Sequence, residues 1–104
     1  MKLKNILFKN RYNKDNAKTI FDIIIESLDN ISVNINDDGS KESYTNIKAE
    51  KLNENKIKIV YNSLFDDDMG IIYLEKSDNL YIISGTPIYM INPGNEEAKI
   101  TKVE

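Results

Sequence analysis

The order of apolar and polar side chains divides this chain into one segment with helical spacing and several that alternate. Between Asn16 and Asp29 the residues Ala17, Ile20, Phe21, Ile24, Ile25 and Leu28 recur at intervals of three and four, behind Asp15-Asn16, which suit a helix N-cap. The spacing predicts a helix over 16–29. Adding Ile23 widens its apolar arc to about 200° and leaves Lys18, Asp22, Glu26 and Asp29 as a narrow polar stripe. Such a helix would lie more than half enclosed in the hollow of a curved sheet.

Beyond residue 30 the period becomes two. Ile31, Val33 and Ile35 alternate with Ser32, Asn34 and Asn36, as in a half-buried strand. Asp37-Asp38-Gly39-Ser40 reads as a turn with Gly39 at positive φ, and a return strand over 41–51 puts Ser43, Thr45, Ile47 and Ala49 on one face. Asn53-Glu54-Asn55 turns the chain into Ile57, Ile59 and Tyr61. After Phe65-Asp66-Asp67-Asp68-Met69-Gly70 come the strand-like runs GIIYLEK and LYIIS, joined by a turn at Ser77-Asp78-Asn79. Gly85-Thr86-Pro87 interrupts, IYMI follows as a further strand, and Asn92-Pro93-Gly94-Asn95 has the residues of a type II turn. A last short strand covers 99–103. Leu3, Ile6, Leu7 and Phe8 fit a short helix better than a strand. The expected fold is one α+β domain over 1–104: a main helix packed on a curved antiparallel sheet of five to six strands, a helix-in-sheet roll.

Composition narrows the chemistry. Hydrophobic residues at 40% and charged residues at 30%, with net charge −3, are a globular mixture and not that of a disordered chain. Purely apolar runs reach only the triplets Ile6-Leu7-Phe8 and Ile23-Ile24-Ile25, too short for a bilayer span or a signal-peptide core, so a cytoplasmic location is expected. The chain has no Cys and no His, which removes disulfides, the thiolate nucleophile, the usual neutral-pH base and the commonest zinc ligand. Lys, Ile and Asn abound, as in proteins encoded by AT-rich DNA; this points to a low-GC bacterium or to its phages and mobile elements.

Two acidic stretches invite a metal reading. Asn34, Asn36, Asp38 and Gly39 match the first positions of a calcium loop, but Lys41 stands where an apolar residue belongs and Thr45 where a bidentate Glu is needed. Asp66, Asp67 and Asp68 converge on a cation only if their loop curls, and strand-like flanks with Gly70 behind them favour a solvated hairpin loop. No metal or cofactor site is predicted, and no phosphate loop, nucleophile elbow or carboxylate pair marks an enzyme.

Charge is unevenly placed. Residues 1–14 hold five basic side chains and no acidic one; residues 61–104 hold three lysines and eight carboxylates. Lys2, Lys4, Lys9 and Arg11 with Phe8 and Tyr12 could form a nucleic-acid arm, although the acidic chain as a whole disfavours it. Residues 79–95 carry no charge, and Tyr44, Tyr61, Tyr73, Tyr81 and Tyr89 lie in expected strands. This favours a non-enzymatic protein-binding module, such as an inhibitor, immunity or accessory protein, contacting its protein partner or a second copy through Asp66, Asp67, Asp68, Tyr73, Tyr81 and Tyr89. The alternative is a small-molecule pocket between helix and sheet, lined by Ile24, Leu28, Tyr73 and Tyr81.

Overall fold

The computed structural model describes residues 8, 10–15, 18–62, 68–92 and 94–103. Nine strands and one short helix follow in order: β1 (Arg11–Asp15), β2 (Thr19–Ser27), β3 (Asn30–Asp37), β4 (Ser40–Ile47), β5 (Ala49–Asn53), β6 (Lys56–Val60), β7 (Ile71–Ser77), β8 (Leu80–Ser84), α1 (Thr86–Ile91) and β9 (Glu97–Val103). All pair antiparallel in the sheet order β4-β3-β2-β1-β9-β8-β7-β6-β5, which curls into a nearly closed barrel.

This corrects the α+β expectation. The segment predicted as the main helix contains β2, in which Thr19, Phe21, Ile23 and Ile25 are buried while Ile20, Asp22, Ile24 and Glu26 point away. The run Thr-Ile-Phe-Asp-Ile-Ile-Ile is dense in β-branched residues, which lose rotamer freedom in a helix and pack well on a pleated surface. Its wide apolar arc was the trace of an alternating strand with Ile also on the outer face. The opposite exchange occurs at IYMI, expected as a strand and found in α1. Gly85 caps α1, Pro87 occupies its first turn, and Ile88 and Ile91 share one side at a spacing of three.

Closure depends on two bent stretches of chain. In β9, residues 97–100 pair with β8 and residues 101–103 with β1. The sheet's two edges, β4 and β5, are separated in sequence only by Lys48, so one run pairs with β3 in its first half and with β6 in its second. A bulge at Asn46, whose φ is 56°, makes the bend. It also splits the face expected to hold Ser43, Thr45, Ile47 and Ala49: Ser43 and Thr45 are exposed, Ile47 is buried and Ala49 is half-buried. At the β3–β4 hairpin Asp38 and Gly39 both have positive φ, 53° and 93°, the requirement of a two-residue type I′ turn.

Side chains fill the barrel. Tyr12, Ile23, Ile31, Ile59, Ile72, Leu74, Ile83 and Ile88 are fully buried, each large aliphatic contributing about 1.5–3 kcal/mol by leaving water. Phe8 joins them, its ring 6.4 Å from Tyr12 and 6.1 Å from Tyr81. The helix expected around Leu3, Ile6 and Leu7 lies outside the described residues, as does Pro93. Around it, Asn95 N–H donates to Asn92 O at 2.9 Å and Gly94 has φ 75°, as the expected turn requires. The uncharged stretch 79–95 holds β8, a central strand between β7 and β9, and its apolar side chains divide: Ile83, Pro87 and Ile88 are buried, whereas Leu80, Tyr89 and Met90 are exposed.

Candidate functional site

At the end of the barrel where β8 leads into α1, the inward faces of β2, β3 and β4 stand opposite the helix and enclose a cleft of about 480 Å³. Strand register builds its walls. Thr19 pairs with Asp37 and Phe21 with Ile35 across β2–β3, and Ile35 pairs with Glu42 across β3–β4. Buried Phe21, Ile35, Tyr61 and Pro87 form the floor; Lys18, Asp37, Glu42 and Met90 are exposed at the rim; Met69 and Ile91 complete the lining.

The polar groups are fixed by short bonds. Thr19 Oγ1 donates to Asp37 Oδ1 at 2.8 Å, and Tyr44 Oη donates to Glu42 Oε1 at 2.7 Å. Tyr61 Oη donates to Met69 O at 2.8 Å, and its ring lies 5.1 Å from that of Tyr44. Burial pushes the Tyr61 hydroxyl well above the ordinary phenol range, with the Tyr44 and Glu42 charges adding to the shift. Tyr44 is raised as well, first by burial and then by its bond to Glu42. Both rings are therefore neutral at physiological pH. The site can enclose an apolar body and offer carboxylate oxygens at its edge.

The residues singled out from sequence are dispersed. Asp66 and Asp67 lie outside the described residues; Asp68 is exposed, and its carbonyl accepts the N–H of Ile71 at 3.2 Å. Tyr73 faces outward between buried Ile72 and Leu74, with the Lys56 ammonium 5.2 Å from its ring centre. Tyr81 turns inward to Tyr12, ring centres 5.1 Å apart, and Tyr89 stands exposed on α1. The pocket expected from Ile24, Leu28, Tyr73 and Tyr81 has no counterpart, because the helix meant to cover it is β2 and Ile24 is on the outer face. Arg11 is engaged within the fold, its guanidinium gripping Asp22 through Nε and Nη2 at 2.7 Å each; Lys2, Lys4 and Lys9 lie outside the described residues.

The calcium-loop residues Asn34, Asn36 and Asp38 belong to a hairpin in which Asn36 Oδ1 accepts the N–H of Gly39 at 3.1 Å. Among the described residues no cluster of three or more metal-ligating side chains occurs, and no helix is long and apolar enough to cross a membrane. Sequence reasoning missed Thr19, Phe21, Ile35, Asp37 and Glu42 as a group because their convergence needs β2 to be a strand. Once the period-two reading is adopted, all five fall on inward positions at one end of neighbouring strands. No family model, curated protein or solved structure matches the chain.

Proposed function

We propose that the protein is a non-enzymatic binding module that seats a small ligand in the cleft at the mouth of the barrel. The carrying observation is the cleft itself: about 480 Å³, with an apolar floor of Phe21, Ile35 and Pro87 and a few fixed polar groups above it. That volume and that mixture are typical of small-molecule sites, which favour barrel mouths. A chain without His or Cys, whose cleft carboxylates are held by hydroxyl donors, supports binding over catalysis. The test is a fragment screen by protein-observed NMR. Ligands should shift the amides of Phe21, Ile35, Glu42 and Ile91 together, and Met90→Trp, which narrows the entrance, should weaken them. Shifts scattered over the outer face would defeat the proposal.

A second reading is contact with a protein partner, as an inhibitor or accessory protein of a phage or mobile element would make. It is favoured by exposed Tyr89 and Met90 side by side on α1, since large apolar side chains presented to water suit an interface. Capture of one protein from a host lysate by the wild type and not by Tyr89→Ser/Met90→Ser would support it; equal capture by both would remove α1 from the contact.

A further inference from the structure

We propose that the ligand of the mouth cleft is a small organic cation, a protonated amine or quaternary ammonium carried on a compact apolar body. The inference rests on the mouth being a ligand seat and goes on to name the chemistry of the occupant. Asp37 and Glu42 border the cleft from neighbouring strands, and neither is ion-paired among the described residues. Each spends one oxygen internally, Asp37 Oδ1 on Thr19 and Glu42 Oε1 on Tyr44. Asp37 Oδ2 and Glu42 Oε2 have no donor among the described residues and are the acceptors left for a ligand.

Phe21 and Tyr61 line the cleft with them, and aromatic rings are favourable neighbours for a desolvated cation. Lys18 also borders the cleft, where its charge opposes a cation and attracts an anion, but two carboxylates border it as well. Its carbonyl accepts the N–H of Asp38 at 2.6 Å, which fixes its backbone beside Asp37. The described rim is therefore net acidic over an aromatic and aliphatic floor, a combination that rewards positive charge on an apolar body and penalises carboxylates and phosphates.

The experiment titrates three probes that share one body: 1-adamantanemethylammonium, 1-adamantanemethanol and 1-adamantanecarboxylate, at neutral pH and low salt, with amide shifts as readout. The ammonium should shift the amides of Phe21, Ile35, Glu42 and Ile91 and bind about tenfold more tightly than the alcohol, with the carboxylate weakest. In Asp37→Asn/Glu42→Gln, which keeps an acceptor for Thr19 and for Tyr44, that preference should disappear, the ammonium binding no more tightly than the alcohol. Equal binding of all three probes at the cleft, or tightest binding of the carboxylate, would overturn the cation proposal and leave the ligand seat standing. If no probe moves the cleft amides, the seat and the cation fall together. The wild-type series requires no substitution, so a variant that fails to fold does not decide the outcome.

Discussion

Two buried tyrosines show how differently one residue type behaves in this barrel. Tyr61 donates to Met69 O at 2.8 Å, whereas the buried Tyr12 hydroxyl has no hydrogen-bond partner among the described residues. A satisfied buried bond contributes about 1 kcal/mol and an unsatisfied hydroxyl costs a similar amount. Tyr61→Phe should therefore lower unfolding stability by about 1 kcal/mol in urea titration, while Tyr12→Phe should leave it unchanged or raise it by up to about 1 kcal/mol. Both phenols are shifted upward, chiefly by burial. The unfolded chain then ionises them near pH 10, while the folded chain keeps them neutral to higher pH. Stability from these groups is thus complete below about pH 10 and is lost as pH rises beyond it. Tyr12→Phe/Tyr61→Phe should show a shallower decline than wild type between about pH 10 and 12, and parallel declines would deny the linkage. Gly70 acts by another cause. A Cβ there would stand 2.9 Å from the Cβ of Asn62 and closer still to the Asn62 carbonyl, where β7 begins against the end of β6. Because the obstruction is backbone, Gly70→Ala should cost about 2 kcal/mol or more, read by thermal unfolding. The sequence marks Gly70 as a glycine closing a turn before β7; what it could not state is that the glycine is needed for close approach and not for positive φ.

At the scale of elements, β2 separates the two readings of residues 16–29 in one comparison. A helix of that spacing turns Ile20, Ile24 and Leu28 to the core together; the strand buries Ile23 completely and turns Ile24 outward. Ile23→Ala should cost about 3 kcal/mol and Ile24→Ala less than about 1 kcal/mol, measured by chemical denaturation, with the reverse order restoring the helix. Where one face was polar the sequence was readable: Ile31, Val33 and Ile35 in β3 alternate with Ser32, Asn34 and Asn36, and Ile57 and Ile59 in β6 alternate with Lys56 and Lys58. It was unreadable where isoleucine stands on both faces, because apolar residues at successive positions satisfy a period of two and of 3.6 at once. The mouth cleft was lost with β2, since Thr19 and Phe21 meet Asp37 and Ile35 only through strand register. α1 was hidden for a related reason: its β-branched and aromatic composition suits a strand, and only Pro87 in the first turn after Gly85 argues for a helical start.

For the molecule as a whole, the barrel is a chain of neighbouring hairpins closed at two places of unequal strength. β1 and β9 are joined by regular pairing of residues 11–13 with 101–103. Where β4 passes β6 the contacts among the described residues are between side chains: the Tyr44–Tyr61 ring pair at 5.1 Å and Asn62 Nδ2 donating to Tyr44 Oη at 3.4 Å. Farther along the same run, Ala49 N–H reaches Leu28 O at 2.7 Å. A long donor distance and one ring contact hold less firmly than a row of backbone bonds, so this seam is where the barrel should open first. The same seam borders the cleft through Tyr61 and Glu42, so opening it would widen the mouth. Tyr44→Ala removes the ring pair and both side-chain bonds while leaving the β3–β4 backbone ladder intact. Native-state hydrogen exchange should then accelerate by about tenfold or more in β4 and β5, the protection of β2 and β7 changing far less. Uniform acceleration across all strands would mean that the barrel opens only by global unfolding and that the seam is no weaker than the rest. Unchanged exchange in β4 would mean that the tyrosine pair carries none of the closure.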